Sequence, residues 1–243
     1  MSIWTRISAA LSALASGEGL VTLFDRFRAS PDTPGRSPGR SPERSPERSV
    51  AFTIAVIALG AKIAKADGAV TRDEVAAFRR VFSIPAGEEV NAARVFNLAR
   101  QDVAGFDAYA RKIRAMFAND DREVLIDLME GLFHIALADG KYHPVEEGFL
   151  WQVAQIFGLD ERCFRALRAR CVEGGTRDPY DVLGVAQDAP LDQVRAAWRR
   201  AVKNSHPDVM IARGVPPEAV QLAERRLIAI NQAMDEIATR RAA

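Results

Sequence analysis

The chain is short of cysteine, has no excess of either charge and contains no long apolar run, and each shortage excludes a class of protein. Cys163 and Cys171 are its only cysteines. Eight residues apart, they lack the ligand company of a zinc site and read as reduced thiols in a cytoplasmic protein. Lys and Arg number 33 against 32 Asp and Glu, a formal charge of +1. That balance gives no global pull toward polyanions, so no nucleic-acid partner is expected. The most apolar stretch, Val50 to Ala66, is interrupted by Lys62 and Lys65 and falls short of the ~20 residues a membrane span needs. The first residues carry Arg6, Leu11, Leu14 and Leu20 but neither a long apolar core nor a cleavage site, so no signal peptide is expected. No glycine-rich phosphate loop is present, and no nucleophile has a base and an orienting carboxylate at readable spacing. The chain is therefore read as a non-enzyme with no catalytic residue.

What is present is helical. The chain has 243 residues, 48% of them hydrophobic, enough for two modest domains. In residues 1–28, Ile3, Trp4, Ile7, Leu11 and Leu14 recur near helical spacing. Two readings of this segment stand open. One is a helix docked on the protein's own core or on a partner subunit, giving self-association. The other is a weak membrane-surface anchor with Trp4 at the interface and Arg6, Arg26 and Arg28 near lipid phosphates, placing the protein at the inner face of the membrane. Residues 29–49 repeat Ser, Pro, Arg, Gly and Glu, as in Ser41-Pro42-Glu43-Arg44 and Ser45-Pro46-Glu47-Arg48, and read as a disordered linker.

Residues 50–172 read as one helical domain with an internal repeat. Ala66-Asp67-Gly68-Ala69-Val70 is matched by Ala138-Asp139-Gly140-Lys141-Tyr142, and each aspartate precedes a glutamate, Glu74 or Glu146, by seven positions. The apolar helices leading in carry Ile54, Ile57, Ala58 and Ala61, and Leu125, Leu128, Leu132 and Ile135. Two similar halves suggest a pseudo-symmetric bundle. The loops have a purely structural explanation in helix capping: glycine at the helix end, a Thr71–Glu74 capping box, and Pro144 in a first turn. Capping does not account for the paired aspartates. Asp67, Glu74, Asp139 and Glu146 could come together to hold a divalent cation or a basic partner. His134 reads as a packed or edge histidine and His143 as a weak cap.

Residues 173–178 form a hydrophilic hinge, and residues 179–243 a last unit. Tyr180 and Leu183 give a short first helix its buried side, and Gly184 ends it. Val194, Ala197, Trp198, Ala201 and Val202 lie on one face of a second helix, with Arg195, Arg199, Arg200 and Lys203 on much of the rest. The helix should stop at His206, because a following proline disfavours helical dihedrals. His206-Pro207-Asp208 then occupies an exposed loop. Ala223, Leu227, Ile230, Met234 and Ile237 form the stripe of a last helix, which packs on the second.

Residues 179–240 resemble a J-domain, the DnaJ-type co-chaperone module, in Tyr180 to Val185, Val194 to Arg200, His206-Pro207-Asp208 and Ile230-Asn231-Gln232-Ala233. The resemblance implies a helical hairpin with a core of Tyr180, Leu183, Val194, Ala197, Trp198, Ala201, Leu227, Ile230 and Met234. It also implies docking to a DnaK-type chaperone and stimulation of its ATP hydrolysis. By position His206, Pro207 and Asp208 are the signalling loop, and Arg195, Arg199, Arg200 and Lys203 the partner-facing basic helix. Trp198 stands where the family usually has Tyr, Pro190 where a Ser cap is common, and Val209 where Lys is frequent. Residues 212–218 look like the insert of the DjlA-like subgroup, and residues 50–172 like the TerB-like domain that precedes the J-domain there. The whole is thus expected to be all-α: a TerB-like bundle followed by a J-domain. It would act as a co-chaperone with an unidentified client protein and need no cofactor beyond the cation the acidic loops would take. The competing reading is a cation-responsive or protein-binding scaffold centred on residues 50–172, with the last unit recruiting a chaperone to it.

Overall fold

Every regular element of the protein is an α-helix among the residues that its structure, a computed structural model, describes: 46–66, 90, 93, 105–117, 122–137, 142–172, 177–216 and 220–242. In helix α1, Pro46–Ala66, every side chain from Phe52 to Ile63 is buried, and only Thr53 and Lys62 in that span are polar. A helix with no polar face belongs at the centre of a bundle. Its start corrects the boundary of the expected linker, which loses its last four residues to the helix. Pro46 suits a first turn, where its missing N–H breaks no intrahelical bond.

Around α1 lie α2 (Phe106–Met116), α3 (Arg122–Ala136) and α4 (Pro144–Phe157), and α5 (Glu161–Cys171) packs on the far side of α3. The two helices that lead into the repeated loops, α1 and α3, pack directly against each other. Their close approach depends on Gly60, where a Cβ would meet Ile135 Cδ1 at 3.0 Å. Local signals set the ends of the later helices. Pro144 opens α4, and the His143 N–H donates to the Glu146 carboxylate at 3.0 Å. The Asp160 carboxylate accepts from the Cys163 N–H at 3.0 Å at the start of α5.

The last unit contains α6 (Pro179–Leu183), α7 (Leu191–Asn204), α8 (Pro207–Ala212) and α9 (Val220–Ala242). Gly184 ends α6 with φ 68°, a left-handed conformation that costs a residue without Cβ little. Helices α6, α7 and α9 enclose a small core of Tyr180, Val182, Leu183, Val194, Ala197, Ile230, Ala233 and Ile237. Trp198, Ala201 and Met234, expected within it, are only partly buried against it. Leu227 is half-buried and belongs to neither core.

The two units are not separate bodies. Helix α9 has 23 residues and a length of about 35 Å, so it extends past the small core. Leu222 and Ala223 at its near end join the core of the larger bundle, together with Met210 of α8 and Val215. The expected stripe of α9 is thus divided, with Ala223 facing one core and Ile230 and Ile237 the other.

Candidate functional site

Two sites emerge, one at the surface of the last unit and one between the units. The first is built by the end of α7. The chain leaves the helix at Ser205, and His206 turns extended at φ −65°, ψ 132°, where the following proline was expected to stop it. Pro207 then restarts a helix at once, so the expected loop contains the six-residue α8. His206 caps α8: its Nδ1 accepts from the Asp208 N–H at 3.2 Å. The His206 and Asp208 side chains remain 60% and 82% exposed. Arg195, Arg199, Arg200 and Lys203 are all exposed, and none meets an acidic side chain among the described residues. Arg200 differs in lining a cleft of about 230 Å³ between the units, with Arg122, Arg170 and Ile230. Pro190 begins α7 without a side-chain cap.

The second site is an ionic network that sequence reasoning missed. Asp127 and Glu130 lie on α3, buried among apolar neighbours. Arg226 of α9 reaches both: Nη2 is 2.7 Å from Asp127 Oδ1, and Nε donates to Glu130 Oε2 at 2.5 Å. Arg213, just past α8, lies 3.5 Å from both Asp127 and Glu123 and donates to the Asn204 carbonyl at the end of α7. Burial raises the Asp127 carboxyl above the usual carboxylate range, against the opposing pull of Arg226 and Arg213. Burial acts on Glu130 in the same sense, but Arg226 and Arg170 outweigh it and hold its carboxyl low. The same ion pairs raise Arg226 further, despite its burial, so it stays charged.

One turn beyond Glu130, His134 continues the same face of α3. Cys171, the last residue of α5, meets both, and donor atoms of the three lie within 4.8 Å of one another. Burial holds the His134 imidazole below its ordinary range and the Cys171 thiol above its own. This Glu, His and Cys set could coordinate a divalent cation within residues 50–172, as expected of that region, though through different residues. It corrects the reading of the cysteines, because Cys171 does have ligand company, brought by the fold from about forty positions upstream. Of the four carboxylates expected to share a site, Asp67, Glu74 and Asp139 lie outside the described residues, as do residues 1–28. Glu146 serves as a cap. No helix of the described residues is long and apolar enough to cross a membrane.

Comparison with known proteins fits this architecture. Residues 53–169 match the family of the tellurite resistance protein TerB. Over most of its length the chain is similar to the co-chaperone protein DjlA of Photobacterium profundum, with 27% identity across 76% of each chain. The DjlA of Aliivibrio fischeri is 26% identical over 76% of this chain and 77% of its own. That of Shewanella oneidensis is 31% identical over a shorter alignment, 49% of this chain and 51% of the relative. No solved structure gives a significant match. The chain thus carries a TerB-like helical domain and is homologous, at 26–31% identity, to the DjlA co-chaperones of several species.

Proposed function

We propose that the protein is a co-chaperone that docks a DnaK-type chaperone through residues 179–240, acting as a J-domain, and stimulates that partner's ATP hydrolysis. One observation carries the reading: His206 and Asp208 stand exposed at the end of a helix whose unpaired arginines and lysine face water. Pro207 fixes the backbone between them, so the polar pair is presented without an ordering cost at docking. Arg195, Arg199, Arg200 and Lys203 supply attraction to an acidic surface, which speeds approach and sets orientation. The bond that breaks belongs to the partner's nucleotide, and this chain contributes contact rather than chemistry. The TerB-like domain holds the J-domain in place through Arg213 and Arg226 and offers the remaining surface to a client. A cytoplasmic site of action goes with such a partner. The test is steady-state ATP hydrolysis by DnaK with the full chain added. Stimulation that saturates with concentration supports the reading, and an unchanged rate rejects it.

A further inference from the structure

We infer that Glu130, His134 and Cys171 form a metal site of the zinc class, set beneath the Arg226 contact that joins α9 to the TerB-like domain. The donors are a carboxylate oxygen, an imidazole nitrogen and a sulfur. That mixture suits zinc and its neighbours among the transition metals, whereas calcium and magnesium take oxygen ligands. Distances permit it. Ligands about 2.0–2.3 Å from a tetrahedral ion lie roughly 3.5 Å apart, so donors within 4.8 Å need only small side-chain rotations to close on one. Two of them sit one turn apart on α3, and α5, which carries the third, packs against that helix.

The surroundings leave the required atoms open. His134 Nε2 is buried without a hydrogen-bond partner, while Nδ1 lies 3.5 Å from Arg225 Nη1. A buried nitrogen with no partner is costly, and a metal ion would satisfy it. Arg226 Nε occupies Glu130 Oε2, and a carboxylate has a second oxygen to offer an ion. Glu130 and a Cys171 thiolate match the charge of a divalent ion and Arg226 keeps Asp127 at 2.7 Å, while Arg170 and Arg225 add positive charge nearby. Arg226 then becomes the outer partner that orients a metal-bound carboxylate. Binding displaces the Cys171 proton to solvent and pins Glu130 in the orientation that holds α9. Three protein ligands leave one position of a tetrahedral ion free.

The test uses the full chain, stripped with a chelator and titrated with cobalt(II), whose bond to sulfur gives a charge-transfer absorption. One ion per chain is expected, with that band present. Cys171→Ser should abolish the band. His134→Gln, which changes a partly exposed residue and should fold, should keep the band and weaken binding at least about tenfold. Cys163→Ser should change neither. Zinc should raise the melting temperature of the parent but not of Cys171→Ser. Absence of the band in the parent would overturn the assignment, as would a band that survives Cys171→Ser. Cobalt binding that ignores His134 and disappears in Asp139→Ala would place the ion in the acidic loops and overturn it equally.

Discussion

Arg226 and Glu130, ninety-six residues apart in the chain, meet in the interior with Nε donating to Oε2, and only 4% and 2% of their side chains are exposed. With Asp127 they join the last unit to the TerB-like domain. Removing one member of such a group leaves a buried charge uncompensated, which typically costs about 3–5 kcal/mol. Arg226→Ala should therefore lower the unfolding free energy by that amount, read as a lower denaturant midpoint at unchanged slope, and loosen α9. Combining Arg226→Ala with Glu130→Ala should cost less than the sum of the two, a coupling measurable in a double-mutant cycle.

The two carboxylates should respond oppositely to acid. Glu130 titrates lower folded than unfolded, so its stabilisation is complete above the unfolded pKa of about 4.3 and is lost as pH falls through the folded value. Asp127 titrates higher folded than unfolded, so its burial penalty is relieved as pH falls through the folded value. Unfolding titrations below about pH 5 should show Glu130→Gln losing less stability on acidification than the parent. Asp127→Asn should lose more.

The partly buried position of Trp198 lowers what its loss should cost. Full burial would make Trp198→Ala worth about 3–5 kcal/mol, but the residue is only partly buried against the small core, so roughly 2 kcal/mol is expected. Its indole N–H donates to Asn231 Oδ1 at 3.0 Å. Asn231→Ala should cost about 0.5–1.5 kcal/mol, and the double variant less than the sum of the two losses. Thermal unfolding of the three variants checks both figures.

Signals that act within a few residues were legible in the sequence. Proline after His206 ended α7, Gly184 ended α6, and Pro144 opened α4 with His143 as its cap, whereas the capping role of Glu146 was not read. The apolar stripes of α1 and α3 placed the bundle's centre. Contacts between distant segments were not legible. Asp127 and Glu130 interrupt an apolar helix three positions apart, which signals a buried acidic pair in need of cations, yet nothing local names Arg213 and Arg226 as the partners. The division of α9 between two cores escaped for the same reason, since periodicity shows which face is apolar but not what covers each turn.

Arg199 and Arg200 should separate by environment. Arg199→Ala removes one exposed charge, so it should weaken DnaK binding by roughly two- to fivefold at low salt and by much less near 1 M salt, where screening is nearly complete. Arg200 lines the cleft between the units, so Arg200→Ala should also shift the melting temperature, which Arg199→Ala should leave alone. Binding curves at two salt concentrations, paired with thermal melts, distinguish them.

The central claim rests on the exposed pair at the start of α8. Asp208→Asn alters a side chain in water and should leave stability within about 0.5 kcal/mol. His206→Gln also removes the ring nitrogen that caps α8, so a loss of about 0.5–2 kcal/mol is expected, and most of the chain should remain folded. The deciding measurement is DnaK ATPase stimulation by parent, Asp208→Asn and His206→Gln at matched folded concentration. The account predicts that both variants lose most of the stimulation, while Asp208→Asn unfolds as the parent does and His206→Gln shifts by no more than the lost cap. A folded Asp208→Asn protein that stimulates DnaK as well as the parent does would contradict it.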